Sequence, residues 1–509
     1  MKQTRRSFLV STAALAASPM IVPRSAFGAN DKIGVAVVAA GSRGGNLAHF
    51  FSNDPRTTVR YITDPYFDLA VNLCGRIEKQ FGNRPTPLID FRKALEDKNV
   101  DVVACASANH WHALTAIWAM QAGKHCYIEK PLTYNLFECK AIVAAAQKSG
   151  VVFQTGTQCR STININQLVD FIRSGGIGKV NFVRALCYKR RKTLGPLGNY
   201  PLPKSVDYDF WCGPAPLGPL TRRRFLYEWH WQRIFGNGDM GNQGSHQLDV
   251  ARWILDVDRF PKSVITYGGR LGYDIEMKNP NYIDAGDAAN VSTTIYDYGD
   301  KSLVLEIRGL ETPLFNLPVG LKQGTQVGLI VYGSDGYAIQ GWNQKGQTFA
   351  LSYAFDRKGE LIKEFRSEHP DGKILSQFEL GIRHIDNFIN ALVANDPKSV
   401  PTDARCGALS AALSHLASTS YYLGEKNKVS KEELRRAIQN IKSLDDNEAT
   451  LDRMIAHLEA NGVDLNRTPL SLGPMLEIDV EKEIFAGNDQ ANAMMSREYR
   501  KPYVVPESI

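Results

Sequence analysis

Two turns close together in the sequence carry side chains that can transfer protons or hydrogen-bond a ligand. The first is Ser107-Ala108-Asn109-His110-Trp111-His112 and the second is Glu129-Lys130-Pro131, and each follows a short apolar run. Lysine and histidine act as general acids and bases when their surroundings bring the pKa near the working pH. The structural alternatives are a surface lysine at position 130 and a helix-start residue at His112.

A third candidate lies farther along the chain, in a glycine-rich segment that precedes an amphipathic run. Asn242, His246 and Asp249 are spaced i, i+4 and i+7 there, so they share one face if a helix begins early enough. A histidine can accept a proton, but the amide of Asn242 cannot stabilise an imidazolium as a carboxylate does. Asp249 or Asp239 is then the substitute partner. A core histidine satisfied by backbone groups is the structural alternative.

A glycine-rich turn and an acidic residue indicate a dinucleotide site. The turn Ala39-Ala40-Gly41-Ser42-Arg43-Gly44-Gly45 has Ala39 where the usual G-x-G-x-x-G pattern begins. Glycines at such a turn let backbone N–H groups approach a pyrophosphate at a helix N-terminus. Asp64, which lies 23 residues beyond Gly41, would accept hydrogen bonds from ribose hydroxyls. It could also serve as a helix N-cap before Pro65, and the two roles are compatible.

These observations predict cofactor contacts at Gly41, Ser42, Arg43, Gly44 and Asp64. NAD is favoured over NADP because the carboxylate of Asp64 would repel a 2′-phosphate. Arg43 weakens this preference because its charge would attract the same phosphate.

All of these turns lie at strand ends in an alternating pattern. The strand-like runs are Ile33–Val38, Thr58–Ile62, Val100–Ala106, His125–Ile128 and Val151–Thr155, and the helical runs are Asn46–Ser52, Phe67–Phe81, Ala113–Gln121 and Leu136–Lys148. Such alternation is typical of a doubly wound parallel sheet, which binds ligands at the carboxyl ends of its strands. We therefore predict an α/β protein with a Rossmann domain over residues 31–155.

The pattern of strands and helices after the Rossmann domain predicts a C-terminal α+β domain over residues 156–425, with a mostly antiparallel open sheet. Hairpin signals occur at Val291–Tyr298 with Ser302–Arg308 and after Val327–Tyr332, and helical patterns occur at Gly381–Val393 and Cys406–Leu423. We expect one face of this sheet to be open for partner contact. Residues 426–509 form a helical and coil extension with a capping box at Ser430 and Glu433, expected to pack over the domain junction.

An Asn109-x-x-His112 turn followed by Glu129-Lys130-Pro131 after the next strand resembles the Gfo/Idh/MocA family of glucose–fructose oxidoreductase, inositol dehydrogenase and rhizopine-catabolism proteins. The resemblance covers roughly residues 31–425. It implies an NAD-dependent oxidoreductase that acts on a sugar, polyol or glycoside hydroxyl. It also implies a homo-oligomer, either a dimer or a tetramer.

The resemblance assigns roles to individual residues. Lys130 is the catalytic lysine beside the nicotinamide, in a turn shaped by Glu129 and Pro131. His246 is the general base, with Asn242 in place of the family's aspartate. The cofactor-binding set further includes Ser107, Asn109, His112, Glu129 and Lys130, of which Asn109 and His112 line the nicotinamide end. The substrate-binding set is Gln158, Arg160 and His246.

The first residues resemble an export signal. Thr4-Arg5-Arg6-Ser7-Phe8-Leu9 opens an apolar stretch that ends at Val22, which is typical of a twin-arginine signal peptide over residues 1–30. A single anchoring helix is the alternative, but about 15 residues is short of the roughly 20 that span a membrane. We expect a periplasmic or otherwise exported protein with no membrane association after signal removal.

Charge and cysteine spacing exclude other classes. The formal charge is +7, and residues 1–30 hold four basic and no acidic side chains, so the remaining chain is too weakly basic for a dedicated nucleic-acid binder. No two cysteines stand two to four positions apart, and we expect no metal site. Two basic clusters, Lys189–Lys192 and Arg222–Arg224, are interpreted as a solvated loop. A basic rim that attracts an anionic carbohydrate is the alternative.

Export leaves alternative functions open. Outside the cytoplasm no NADH pool is expected to recycle a dissociating cofactor, so NAD should stay bound and each turnover should end redox-neutral. Exchange between two sugars would satisfy this requirement, and so would a glycosidase that oxidises, eliminates and reduces. A non-catalytic cofactor-bearing binding protein is a further alternative if Asn242 disables His246.

Overall fold

The computed structural model of the protein describes residues 32–312, 325–342 and 349–507. The predicted signal segment, residues 1–30, lies outside the described residues. Across these three ranges, no helix has both the length and the apolar character that crossing a bilayer requires.

The N-terminal domain is built on six strands in the order β3-β2-β1-β4-β5-β6, and every neighbouring pair is parallel. The strands are β1 Ile33–Val38, β2 Thr57–Thr63, β3 Thr86–Leu88, β4 Val102–Cys105, β5 His125–Glu129 and β6 Phe153–Gly156. Every residue of β1 and β4 is buried, as expected where helices cover both faces of a parallel sheet. The predicted Rossmann architecture is confirmed.

Five helices connect these strands: α1 Ser42–Asn53, α2 Phe67–Phe81, α3 Arg92–Leu95, α4 Asn109–Gln121 and α5 Leu136–Ser149. Gly82 and Gly150 end α2 and α5 in the left-handed region, with φ of 76° and 65°, a conformation that favours glycine. Helices α1 and α4 each begin four residues earlier than the sequence pattern predicts. The glycines and polar residues that were interpreted as loops before these helices form the first turn of each helix. Arg43 and His112 therefore project from helix N-termini.

The second domain contains a twelve-stranded mixed sheet with ten strands in the order β14-β13-β12-β11-β7-β10-β9-β8-β16-β15, while β17 pairs with β8 and β18. Its strands are β7 Val180–Tyr188, β8 Ser263–Gly269, β9 Val291–Asp297, β10 Ser302–Arg308, β11 Val327–Gly333, β12 Gly336–Trp342, β13 Leu351–Asp356, β14 Leu361–Arg366, β15 Lys428–Val429, β16 Leu470–Leu472, β17 Leu476–Asp479 and β18 Ile484–Phe485. The pair β7–β10 is parallel and the other pairs are antiparallel. Both predicted hairpins, β9–β10 and β11–β12, are confirmed.

Within the described part of this domain, ten α-helices accompany the sheet: α6 Ile163–Arg173, α7 Tyr208–Cys212, α8 Gly238–Gly241, α9 Gly244–Ile254, α10 Tyr273–Glu276, α11 Gln377–Ala394, α12 Ala404–Leu423, α13 Lys431–Gln439, α14 Asn447–Ala460 and α15 Asp489–Ala493. Helix α11 returns to the first domain, where Ile385, Phe388 and Ile389 join the core beneath β1. Helix α12 packs against both α5 and α9. The two domains therefore share helical layers.

The C-terminal extension covers part of the large sheet. The capping box predicted at Ser430 and Glu433 is formed, and α13 and α14 bury Leu434 and Met454 against Tyr267 and Val304. We predicted that one face of this sheet is open for partner contact. The prediction is wrong for strands β7, β8, β9 and β10, because apolar side chains of α13 and α14 cover the face there.

The end of the extension lies on the first domain instead. Tyr503 enters the core beside α4, with its ring 5.3 Å from that of Trp111. The backbone N–H of Phe137, at the start of α5, donates to the carbonyl oxygen of Met495. The extension therefore contacts both domains, and only this last part packs near the domain junction as expected.

A buried charge network joins α14 to the sheet. The Glu306 carboxylate accepts hydrogen bonds from Arg184 at 2.5 Å, Arg308 at 2.8 Å and Arg453 at 3.1 Å. Arg184 also pairs with Asp445, just before α14. Burial by itself would raise the pKa of Glu306, but the three guanidinium groups lower it to about 2.

This network predicts a pH-dependent stability. Because its pKa is depressed in the fold, the Glu306 carboxylate stabilises the protein fully above its ordinary pKa of 4.5 and loses this effect as the pH falls toward 2. We expect Glu306→Gln to lower the free energy of unfolding by about 3–5 kcal/mol at pH 7, and by much less in acid. Urea unfolding across this pH range measures the difference. Glu477→Gln, at an exposed position, is the control, and a loss independent of pH would contradict the ionic role of Glu306.

Candidate active site

The predicted dinucleotide turn lies between β1 and α1. Ala39 adopts φ of 77°, the left-handed conformation that glycine usually supplies at this position. A Cβ at Gly44 would stand 1.8 Å from the carbonyl oxygen of Ala39, whereas a Cβ at Gly41 would meet nothing within 4 Å. Gly44 thus permits the close helix–turn packing, and Gly41 leaves space in front of the helix.

Asp64 lies at the end of β2 and holds this turn. Its carboxylate accepts hydrogen bonds from the backbone N–H groups of Ala40 at 2.8 Å and Tyr66 at 2.7 Å. Burial raises its pKa to about 6, although both hydrogen bonds oppose the rise. Helix α2 is preceded by Tyr66 rather than Asp64 as its N-cap residue. The structure therefore places Asp64 in the turn itself, where its carboxylate binds the backbone on both sides.

Arg43 contacts the lysine turn instead of Asp64. Its Nε donates to Glu129 Oε1 at 2.7 Å, and Gln158 Nε2 donates to the same oxygen at 3.0 Å and to the hydroxyl of Tyr127 at 3.1 Å. A Cβ at Gly156 would lie 2.7 Å from the Glu129 carboxyl carbon, so glycine makes room for this group. The amide nitrogen of Gln158, predicted to face substrate, is engaged by the protein.

Lys130 bridges the two domains. Its Nζ donates to the backbone oxygen of Asn242 at 2.9 Å and to Asn242 Oδ1 at 3.0 Å, and the peptide bond to Pro131 is cis. Burial lowers its pKa to about 8; the charge of Glu129 opposes this change and that of Arg43 adds to it. This pKa is closer to neutrality than that of an ordinary lysine, which suits proton transfer.

His246 lies in the first turn of α9, which begins after a break that separates it from α8. Its Nδ1 is buried and has no hydrogen-bond partner within the described ranges. Burial and the positive charges of Lys130, Arg43 and Lys189 lower its pKa well below 6.5, so the ring is neutral at pH 7. The side chain as a whole is partly exposed, and it is placed to accept a proton.

The expected partners of His246 lie elsewhere. Asn242 binds Lys130, and Asp239 accepts hydrogen bonds from Arg191 at 2.6 and 2.8 Å. Asp249 accepts from Arg160 at 2.9 and 3.0 Å and from Ser410 at 2.7 Å. The hypothesis of a proton relay from His246 through Asp249 or Asp239 is therefore not supported, because arginines hold both carboxylates.

The same ion pair corrects the prediction for Arg160. The Arg160 guanidinium donates two hydrogen bonds to the Asp249 carboxylate. Its Cζ also lies 4.6 Å from the centroid of the Trp253 ring. Both side chains of the pair are nearly inaccessible to solvent. Arg160 therefore anchors α9 beneath the site, because its charge is already neutralised by the protein.

Asn109 and His112 support the site from behind. His112 is buried with Nδ1 2.7 Å from the Pro131 oxygen and Nε2 2.9 Å from the Ser107 oxygen, so it ties the two turns together. Asn109 Nδ2 donates to Asn237 Oδ1 at 2.8 Å. The two side chains are 1–2% exposed, which leaves little of them to line a nicotinamide. Ser107 is partly exposed.

Sequence reasoning missed two contributors. Asn237 links Asn109 to the backbone oxygen of Tyr134, and Arg191 stands over the Trp231 ring at 4.9 Å while binding Asp239. The basic cluster that contains Arg191 was visible in the sequence, but its pairing with Asp239 was not, because the two residues are 48 positions apart. Among the described residues, no three His, Cys, Asp or Glu side chains gather as metal ligands would.

The turn after β1 fits a dinucleotide. No side chain caps the N-terminus of α1 among the described residues, and Gly41 leaves open space there. Free N–H groups and the helix dipole at such a terminus suit a pyrophosphate. The open end of α1 therefore suits the pyrophosphate of a nicotinamide dinucleotide.

Comparison with protein families agrees with this geometry. Residues 33–157 match the Gfo/Idh/MocA oxidoreductase family model for an NAD-binding Rossmann fold, and residues 186–269 match the model for the family's C-terminal alpha/beta domain. The two matched regions are therefore similar to the two domains of the Gfo/Idh/MocA oxidoreductases. The first region contains Lys130 and the second contains His246, so the candidate site spans the two matched regions.

Individual relatives match over shorter stretches. Levoglucosan dehydrogenase of Pseudarthrobacter phenanthrenivorans is 30% identical over 167 residues, which is 33% of this chain and 36% of that protein. A glycosyl hydrolase family 109 protein of Shewanella sp. strain W3-18-1 is 26% identical over 162 residues, 30% of this chain and 34% of that protein. The chain therefore spans about a third of the length of these relatives.

Solved structures show the same fold. A levoglucosan dehydrogenase in complex with NADH and levoglucosan superposes with a TM-score of 0.55 at 18% identity, covering 77% of this chain and 97% of that one. The WlbA dehydrogenase of Bordetella pertussis, in complex with NADH and UDP-GlcNAcA, gives 0.52 at 19% identity with the same coverage. These similarities establish the fold.

The contact between Lys130 and Asn242 predicts how the lysine titrates. Asn242→Asp would place a carboxylate at hydrogen-bond distance from Nζ, so the pKa of Lys130 should rise from about 8 toward 10.5. Labelling of Lys130 by acetic anhydride at a series of pH values, followed by peptide mass spectrometry, measures the midpoint. Asn83→Asp, which adds the same charge at an exposed position, should leave it unchanged. Equal midpoints in both variants would contradict the assigned contact.

Proposed function

We propose that the protein is an NAD-dependent oxidoreductase acting on a hydroxyl-bearing carbon of a sugar, polyol or glycoside. The observation that carries this proposal is the convergence of Lys130 and His246 from two domains. Lys130 is fixed to Asn242, one helical turn before His246 in sequence. Bound NAD would supply the hydride acceptor or donor.

The two titratable groups can divide the handling of the hydroxyl proton. His246 is neutral at pH 7 and its imidazole has a free lone pair, so it can accept a proton. Lys130, with a pKa of about 8, can hydrogen-bond the substrate oxygen or share its proton. Arg43 and Glu129 neutralise each other at 2.7 Å, which keeps the lysine turn in place without adding a further base.

The arrangement of charges also favours NAD over NADP. Asp64 presents a carboxylate at the end of β2, and Arg43, the nearby cation in the sequence, is paired with Glu129 instead. A 2′-phosphate would therefore meet a negative group there without the compensation of Arg43. Two structural neighbours are solved with NADH and a third is described as a putative NADPH-dependent oxidoreductase, so the choice of NAD rests on Asp64 and Arg43.

A redox-neutral glycosidase is the second candidate. The relative named as a glycosyl hydrolase family 109 protein matches 30% of this chain, and tightly held NAD would serve such a cycle equally well. The non-catalytic binding protein remains the third candidate, because Asn242 contacts Lys130 and His246 Nδ1 has no partner among the described residues.

Export by the twin-arginine route is also proposed, on the strength of Arg5, Arg6 and the apolar stretch that follows. Replacing both arginines with lysine should retain the protein in the cytoplasm of a host with this pathway, because the pair is the recognised signal. Cell fractionation measures the distribution. Arg24→Lys, outside the motif, is the control, and an unchanged distribution in the Arg5/Arg6 variant would contradict the proposal.

The oxidoreductase is tested with purified protein and no added nucleotide. We expect NAD to remain through desalting, and a panel of sugars and glycosides to yield at most one equivalent of ketone per bound NAD without an acceptor. Lys130→Ala should keep the nucleotide and lower the rate of this single turnover about 10²–10⁴-fold. Lys148→Ala, at an exposed position of α5, is the matched control.

Other outcomes would reject the proposal. Repeated glycoside cleavage with solvent deuterium incorporated beside the transient ketone would identify the glycosidase instead, because elimination passes through deprotonation of that carbon. A correctly folded protein that releases no NAD on denaturation would contradict tight cofactor binding. Mostly NADP in the released nucleotide would contradict the role of Asp64.

A further inference from the structure

The two basic clusters of the sequence meet around one cavity. Residues 190–195 form one wall and residues 223–231 form the other, around a volume of about 430 Å³, within the range of small-ligand pockets. Arg222 is fully buried, donates to the oxygens of Phe225 and Gln232, and lies 5.0 Å from the Trp211 ring centroid. The interpretation as a solvated loop is therefore wrong for this residue, which anchors the second wall.

The cavity carries an excess of positive charge. Five cationic side chains line it, against the one carboxylate of Glu228; these are Arg190, Arg191, Lys192, Arg223 and Arg224. Glu228 lies 3.8 Å from Arg224, and Arg190 reaches Glu276 and Glu311 at 3.6 and 3.3 Å. Lys192 and Arg223 have no carboxylate partner in the part of the chain that the structure describes, so their charge is available to a ligand.

The cavity adjoins the candidate active site through Arg191. This residue lines the cavity and binds Asp239 in α8 through two hydrogen bonds. Asn242, which ends the same helical turn, holds Lys130. The charges of Arg191 and Asp239 both act on the pKa of Lys130. A molecule seated in the cavity is thus only a few side chains from the reacting groups.

Aromatic side chains complete the walls. Trp231 is buried under Arg191, and Tyr227 is 54% exposed with its backbone at φ of 66°. A bulky residue with positive φ is costly and persists only where its surroundings require it. The exposed ring of Tyr227 offers an apolar surface of the kind that packs against a sugar ring, while the arginines supply planar donor pairs that match an oxyanion.

Resting on the proposed function, we propose that this cavity holds the oxyanion of an acidic sugar, either a carboxylate or a sulfate ester, while the reacting hydroxyl of the sugar reaches Lys130 and His246. The unpaired charges of Lys192 and Arg223 attract the anion and orient it. Such a subsite would make the protein selective for acidic over neutral carbohydrates, since a neutral sugar leaves these cations unused.

The test compares acidic and neutral probes on the NAD-bound protein. Methyl glucuronide is compared with methyl glucoside, and glucose 6-sulfate is compared with glucose; the first sugar of each pair is acidic and the second is neutral. Calorimetry measures the Kd of each sugar, and the first-turnover reduction of bound NAD measures the rate. Lys192→Glu/Arg223→Glu should weaken binding of the acidic probes about 10- to 100-fold, as expected for losing charged hydrogen bonds. It should leave neutral probes and NAD content unchanged. The carboxylate and sulfate arms show which oxyanion is preferred.

Lys358→Glu/Lys373→Glu changes the net charge equally at exposed positions near β14 and is the matched control. Equal weakening in both double variants would overturn the inference in favour of a general field effect. Loss of NAD from the cavity variant would overturn it in favour of a cofactor site. The inference would also be overturned if the acidic probes bound no more tightly than the neutral probes.

Calorimetry separates this inference from the proposed function. An acidic probe that binds, loses affinity in the cavity variant and never reduces NAD would support the subsite while rejecting the oxidoreductase. Oxidation of neutral sugars without binding of either acidic probe would support the oxidoreductase and reject the subsite.

Discussion

The hydrogen bonds from Lys130 to Asn242 are the contact on which the site depends. They join the carboxyl end of a Rossmann strand to the helix that carries His246, so they set where the two acid–base groups stand relative to each other. A partly buried amine loses hydration, and two oxygens of one residue replace it. The packing of α12 against helices of both domains holds the two partners of this contact together.

Buried ion pairs form the support around that contact. Arg43 with Glu129, Arg160 with Asp249 and Arg191 with Asp239 each fix a side chain by charge and by directed hydrogen bonds. Because these arginines and carboxylates satisfy one another, they are not free to transfer protons. Lys130 and His246 do not take part in these three ion pairs, and burial lowers the pKa of each. The protein separates residues that hold the site from residues that can react.

Much of the fold could be predicted from local patterns. Short β-branched runs alternate with helical periods, which requires a parallel sheet, and the turns at its carboxyl edge contain Asp64 and Lys130. The capping box at Ser430 is likewise a local signal and was found where expected. The start of α4 at Asn109 differs from the pattern that began at Ala113, although a helix start at His112 was one of the alternatives. The docking of α13 and α14 also depended on which apolar face lay nearby.

The sequence by itself determined which residue types stand at the strand ends, because side-chain alternation and turn chemistry are local properties. Only the tertiary structure decided how their charges pair. Arg160 and Asp249 are 89 positions apart, and each was an equally good candidate for substrate or histidine until the fold brought them together. The same holds for Asn242, whose amide contacts Lys130 instead of His246. Hydrogen bonds and ion pairs act over a few ångströms, so their partners are chosen by distance in space and not by spacing along the chain.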